Sequence, residues 1–294
     1  MTQLSLDAGT PVSISSRIRT LLKRWPVGSI AILIVLLVLG VFAPFLEPHN
    51  PDTPQIMKAH RPPVFLGGTW DYVLGTDDLG RDNLSRLISG ARISLLVGFA
   101  VVLGAGSIGT VLALLAGYFG GIVDIIISRM TEVFVAVPFL LVAIAVVGAV
   151  GASTTNLVLT LIFMTWAGYA RVLRAEVLRL RELEFVKLAK VAGCSNMRIL
   201  FHHILPNIVN PLVILATLQL GATIVIEASL NFLGLGVPAP QATWGGMLAA
   251  GKNYIGFQDS LVIIPAIAIF LVVLSINLLG DWLRLRLDPR FRQL

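Results

Sequence analysis

The chain has 294 residues, of which 56% are hydrophobic and only 13% charged, and its mean hydropathy is +0.87. Soluble domains carry about 25% charged residues, so lipid is the solvent for most of this chain. In that setting the net charge of +6 reflects Lys and Arg held in cytoplasmic loops, which sets nucleic acid aside as a partner.

A crossing of the hydrocarbon core takes about 20 apolar residues. Residues 27–46 form the first such run, too long for the core of a cleavable signal, and read as an uncleaved transmembrane helix. The following stretch, 47–92, is external. Pro48, Pro51, Pro54, Pro62 and Pro63 favour extended backbone there, and Asp77, Asp78 and Asp82 alternate with Arg81 and Arg86 as an amphipathic helix with local ion pairs. Residues 93–119 are the second span. Asp124, Arg129 and Glu132 follow as a solvated cytoplasmic turn or a second partner contact.

Residues 133–170 carry no charge and are too long for one crossing. Gly148, Gly151, Ser153 and Asn156 split them into spans 133–150 and 157–170. Residues 208–226 and 261–279 complete a set of six. Between the last two, the Gly- and Pro-rich loop 231–258 carries Phe232, Leu233, Leu235, Trp244 and Met247, apolar residues that pack on the protein or the membrane interface.

Orientation follows from basic residues. Arg17, Arg19, Lys23 and Arg24 precede the first span; Arg171 to Arg198 supply seven cations before the fifth; Arg284, Arg286, Arg290 and Arg292 follow the sixth. All three groups fall on one side, so both termini are cytoplasmic. The expected layout is a cytoplasmic segment 1–26, a first span 27–46, an external loop 47–92, a core 93–283 with five spans and a cytoplasmic loop 171–207, and a cytoplasmic tail 284–294. The fold class is all-α and polytopic.

The cytoplasmic loop is the most informative stretch. Phe185, Leu188, Ala189 and Ala192 share one helical face, with Glu184, Lys187 and Lys190 off it. Gly193 stands where a helix ends in a left-handed cap, and Ser195 is placed to cap a second helix, whose Met197, Leu200, Phe201 and Ile204 share a face. Leu205 and Pro206 then lead into the fifth span. Two short amphipathic helices joined by a turn either lie on the membrane surface or dock into a partner.

This segment resembles the EAA motif of binding-protein-dependent ABC importer permeases, with Ala189, Gly193, Leu205 and Pro206 at matching places. Lys187 stands where the family usually has glutamate, and Leu188 where it has the first alanine. The geometry therefore carries the assignment, not a charge at 187. Further stretches are similar to the dipeptide/oligopeptide/nickel family, in its second, C-type permease subunit: 74–86 (LGTDDLGRDNLSR), 117–121 (GYFGG), 228–236 (ASLNFLGLG), 277–284 (NLLGDWLR) and 287–290 (LDPR). The resemblance implies a type I importer permease in a bacterial or archaeal cytoplasmic membrane. Its implied partners are a sister permease, two ATPase subunits and an external solute-binding protein, with Glu184 to Pro206 engaging the ATPase. The transport class implied is di- and oligopeptides or related small solutes, moved by alternating access.

The chain lacks the G-x-x-x-x-G-K-[ST] loop that cradles nucleotide phosphates, so ATP and magnesium belong to the partner ATPases and no cofactor is expected here. Adjacent His202 and His203 point about 100° apart on a helix and have no third ligand, which argues against a metal. Glu227, at the outer end of the fifth span, is either an interfacial group or part of the translocation path, together with Gln219 and Asn210. A secondary transporter would show acids in its central spans, and an intramembrane enzyme a paired acid or metal signature; neither is present. A purely structural membrane subunit leaves the protruding helix pair without a purpose.

Overall fold

The computed structural model describes residues 26–287. Arg17, Arg19, Lys23, Arg24, Arg290 and Arg292, used above for orientation, lie outside the described residues, as does most of the 287–290 motif. Among the described residues the chain is helical, with one isolated bridge between Thr76 and Asp82.

Helix α1 (Val27–Val41) is followed, after a break at Phe42, by the single turn α2 (Ala43–Leu46) with Pro44 in its first turn. Residues 47–82 form a compact cap containing three one-turn 3-10 helices. Helix α3 (Asn83–Phe119) is about 55 Å long at 1.5 Å per residue. Its start is set by Asp82, whose carboxylate accepts from the backbone N–H groups of Leu84 (3.3 Å) and Ser85 (3.1 Å). The Asp-rich stretch is thus not an amphipathic helix but a tight turn. There Asp77 accepts from Arg81 Nε at 2.7 Å, and Arg86 donates to the Pro51 carbonyl at 2.8 Å. The expected ion pairs exist; Gly75 and Gly80, both at positive φ, hold the turn in place of a helix.

Helix α4 (Gly121–Ala136) meets α5 (Phe139–Val150) at 86°. Pro138 causes the bend: it holds Val137 in extended backbone and cannot continue the preceding hydrogen-bond ladder. Asp124, Arg129 and Glu132 therefore lie on a helix and not in a solvated turn. Helix α6 (Thr154–Arg181) carries its own N-cap, Ser153, which accepts from Asn156 N–H at 3.0 Å. Helix α7 (Glu184–Val191) and α8 (Asn196–Ile199) form the cytoplasmic-loop pair of the sequence reading. A π-helical turn (Leu200–Ile204) carries α8 into α9 (Leu205–Phe232), so that 196–232 form one continuous helical stretch. Helix α10 (Trp244–Gly251) lies in the loop before α11 (Ser260–Leu287).

Four segments are long and apolar enough to cross a membrane singly: α3, α6, 196–232 and α11. The bent α4–α5 pair is a fifth, while α1 has 15 residues, about 22 Å against the roughly 30 Å of hydrocarbon. The helix boundaries also move: α3 begins ten residues before the expected span, and α11 takes in residues 284–287 of the expected tail.

Helix α3 is the spine, and its most extensive neighbour is α6. Close approach is possible because Gly109 and Gly117 face α6; a Cβ on either would sit 2.5 Å from the Tyr169 side chain or 2.7 Å from that of Val177. On the other side α3 meets α9 and α1, and α11 joins them against α9 and α1, around Ala91, Ile224, Val272 and Ile276. Trp244 of α10 is wedged into this junction and donates Nε1 to the Leu87 carbonyl at 2.9 Å. The cap is stitched to the loop before α11 by His60, whose Nδ1 lies 2.9 Å from Gln258 Oε1.

Candidate functional site

The α7–α8 pair is built by local rules that the sequence states openly. Glu184 sits in the first turn of α7 and Lys190 in the last, each complementing the helix dipole. At the end of α7, Gly193 adopts φ +80°, Cys194 N–H bonds the Ala189 carbonyl at 3.1 Å, and Gly193 N–H bonds Lys190 at 3.1 Å. These are the two bonds of a left-handed glycine cap, and Cys194 and Ala189 accompany them by packing on the same apolar cluster. Ser195 then caps α8, its Oγ accepting from Arg198 N–H at 3.3 Å. Pro206 follows the wide π turn, which gives its ring room against the preceding carbonyl and takes up the missing N–H.

One face of the pair is anchored. Val186, 3% exposed, packs with Ile199, Leu200 and Ile204 against Leu114 of α3, Val177 and Leu180 of α6 and Ile208 of α9. Tyr118 at the end of α3 donates to Asn196 Oδ1 at 2.8 Å, and Arg181 donates to the Gly117 and Tyr118 carbonyls at 3.2 and 3.3 Å. The last two bonds satisfy carbonyls at the α3 C-terminus with a cation. The pair is therefore tied to three of the long helices.

The other face is bare. Leu188 is 66% exposed, Val191 85% and Met197 60%, with Phe185 and Phe201 also exposed. The face read from the sequence is thus split: Ala189, Leu200 and Ile204 turn inward, while Phe185, Leu188, Met197 and Phe201 turn outward. Sequence reasoning missed Val186, the actual anchor, and Val191, the most exposed apolar residue of the pair. Lys187, the departure from the family pattern, reaches Glu182 Oε2 at 3.2 Å. Hydrogen bonding to Lys187 and Arg181 holds the Glu182 carboxyl below the usual carboxylate range.

Asp124 of α4 forms a forked pair with Arg174 of α6: Nη2 donates to Oδ2 at 2.6 Å, and Nε to Oδ1. The pair locks the bent α4–α5 unit to α6.

Glu227 has a different setting. Its side chain is 0% exposed, accepts from Ser94 Oγ of α3 at 3.0 Å and from Asn231 Nδ2 at 2.6 Å, and so bridges two helices. Asn231 Oδ1 in turn accepts from Val237 N–H at 2.7 Å, fixing the loop after α9. The interfacial, water-exposed placement of Glu227 is therefore corrected: full burial makes it a brace. Gln219 is half-buried, and Asn210 lines a cavity of about 590 Å³ between α6, α9 and the end of α11, next to Asn207, Glu176 and Arg284. No group of three or more metal-ligating side chains occurs among the described residues.

Long apolar helices around a small-residue spine, with a rigidly anchored but uncovered helix pair at one end, define a multi-helix membrane transport subunit. The model for the binding-protein-dependent transport system inner membrane component family matches residues 109–293. Relatives include the dipeptide transport system permease protein DppC of Alkalihalophilus pseudofirmus, 39% identical over 92% of this chain and 88% of that protein. DppC of Haemophilus influenzae is 39% identical over 91% and 90%. The glutathione transport system permease protein GsiD of Pectobacterium atrosepticum is 39% identical over 88% and 85%. Among solved structures, a chain of the MetNI methionine ABC transporter in an inward-facing conformation superposes with TM-score 0.57 at 18% identity, over 70% of this chain and 97% of that one, a likeness of fold. The chain thus belongs to this family and is a C-type permease subunit of a binding-protein-dependent ABC importer.

Proposed function

We propose that this permease imports small peptides and is driven through the α7–α8 pair by a separate ATPase. The carrying observation is the bare apolar face on a rigidly anchored turn. Exposing Leu188, Val191, Met197, Phe185 and Phe201 together is unfavourable, at about 25 cal/mol per Å² of apolar surface, unless another chain covers them. A surface-lying amphipathic pair would need no anchoring to three long helices. Glu184, Lys187 and Ser195 frame this face, and Leu205–Pro206 pass its movement into α9.

In this reading α1–α2 and the α4–α5 pair complete six crossings, with both termini and the α7–α8 pair cytoplasmic and residues 47–82 external. A sister permease completes the pathway, two ATPase chains supply ATP and magnesium, and an external binding protein delivers solute. This chain binds no nucleotide itself. Closure of the ATPases pulls the pair, and with it α3, α6 and α9, towards the outward-open arrangement; hydrolysis resets it. Peptide as cargo is supported by the dipeptide systems named among the relatives. The test is ATP-dependent uptake of a labelled dipeptide by the importer reconstituted in vesicles with its partners; uptake that proceeds unchanged without the ATPase contradicts the mechanism.

A further inference from the structure

Five residues, 117–121 (GYFGG), carry the chain from the C-terminal end of α3 into α4. Gly117 lets α6 come close, since a Cβ there would sit 2.7 Å from the Val177 side chain. Gly120 ends α3 and opens α4 at once: its N–H bonds the Ala116 carbonyl at 3.0 Å, and its own carbonyl accepts from Asp124 N–H at 3.3 Å. Its backbone (φ +69°, ψ −154°) is open essentially to glycine alone. A Cβ at Gly120 would also stand 3.2 Å from Arg181 Nη1. The bare backbone thus leaves the guanidinium its place against the Gly117 and Tyr118 carbonyls.

Tyr118 reaches from this joint to the α7–α8 pair. Its ring packs half-buried on the cluster that contains Val186 and Ile199, edge-on to Phe119 with 5.2 Å between centroids. Its hydroxyl donates to Asn196 Oδ1 at 2.8 Å, and its carbonyl accepts from Arg181 at the end of α6. One residue therefore joins α3, α6 and α8. The two kinds of tie differ physically. Apolar contact, as between Ile199 and the cluster, is non-directional and lets surfaces slide. A hydrogen bond weakens steeply away from linearity, so it fixes orientation as well as position. Helix α8 is a single turn of four residues, and Asn196 is its first. Held at both Asn196 and Ile199, it is kept from rolling on the end of α3.

We propose that Tyr118 is a positioning residue for transport: through Asn196 it makes α8 and α3 turn as one, so that a displacement of the α7–α8 pair reaches the long helices undiminished. Gly117, Gly120 and Arg181 hold the end of α3 in place to receive it. The inference rests on the reading that an ATPase drives the pair, and adds the bond through which that drive passes.

The test compares Tyr118→Phe, Asn196→Ala, Asn196→Asp and the double variant Tyr118→Phe with Asn196→Ala in the complete importer reconstituted with its binding protein. The readout is labelled dialanine taken up per ATP hydrolysed, with the unfolding temperature of each complex alongside. Tyr118→Phe keeps the ring in the cluster and loses only the donor, so the ratio falls about fivefold, the size expected for one neutral hydrogen bond. Asn196→Ala falls equally, and the double variant falls no further than either alone. Asn196→Asp keeps an acceptor and stays near the wild type. A bond that merely stabilises the fold lowers the unfolding temperature and leaves the surviving complexes at the wild-type ratio; that result overturns the proposal while ATP-driven import stands. Losses that multiply in the double variant also overturn it, since the two residues then act separately. Wild-type uptake that consumes no ATP removes the driving ATPase, and the tether with it.

Discussion

The two ends of the 196–232 helical stretch use the same device for opposite purposes. Near one end Gly193, at φ +80°, closes α7; at the other Gly234, at φ +77°, closes α9 with Leu235 N–H bonding Leu230 at 2.8 Å and Gly234 N–H bonding Asn231 at 3.0 Å. At Gly234 the turn folds back on the bundle: Leu230 and Leu235 join the cluster of Val97, Val101, Leu157 and Leu161, and Glu227 and Asn231 brace the loop from inside. At Gly193 only Ala189 and Cys194 pack inward, while Leu188 and Val191 beside the turn stay exposed. A left-handed glycine cap therefore says where a helix stops, but not whether the stop is sealed. The sealed end contributes stability, and the open end is free to receive another chain.

The contrast breaks most visibly at the sealed end. Glu227→Ala leaves Ser94 Oγ unpaired and removes the side-chain partner of Asn231 in a buried site, at roughly 1–3 kcal/mol for each unsatisfied donor. A lowered unfolding temperature in detergent checks this, with Glu227→Gln clearly milder because the amide oxygen still accepts. At the open end Gly193→Val forces a β-branched residue into left-handed backbone, costing about 1–2 kcal/mol. A Cβ there meets no atom within 4 Å, so the cost is conformational and not steric. The expected outcome is ATP hydrolysis retained and uptake lost; normal uptake contradicts it.

Leu188→Ser sharpens the comparison further. The residue is mostly exposed, so stability of the isolated chain should change by less than about 0.5 kcal/mol, while ATP-driven uptake falls about tenfold or more. The equivalent change at buried Leu230 should do the reverse, unfolding the chain first. The smallest effect is at Lys187→Met, which removes the largest cause of the depressed Glu182 pKa. The Glu182 carboxyl should then titrate at higher pH. Because its folded pKa is depressed, any stabilisation from this pair is present at neutral pH and lost as pH falls through the folded value. The variant should lack that loss; NMR titration of a labelled Glu182 measures it.

Much of the open end was legible in the sequence because caps are local. Gly193, Ser195 and Pro206 act through bonds within a few residues, and each was found where the pattern placed it. The split of the apolar faces was not legible, since helical spacing groups Phe185 with Ala189 but does not say which arc meets α3 and α6. Val186 becomes the anchor only by meeting Leu114 of α3, far along the chain, and Val177 on the neighbouring α6. The bend at Pro138 had a visible signal, a proline inside an apolar run, that charge counting passed over. The turn around Asp77 and the enclosure of Glu227 depend on non-local partners such as Pro51 and Ser94, which no local window contains.

The central claim is that the bare face of the α7–α8 pair is covered by the ATPase. Single cysteines at Leu188, Val191 and Val186, in a chain with Cys194 replaced by serine, test it by cross-linking within the assembled importer. The account predicts cross-links to the ATPase from 188 and 191 and none from 186, whose side chain is 3% exposed. An assembled, ATP-hydrolysing complex with no cross-link from either exposed position contradicts it.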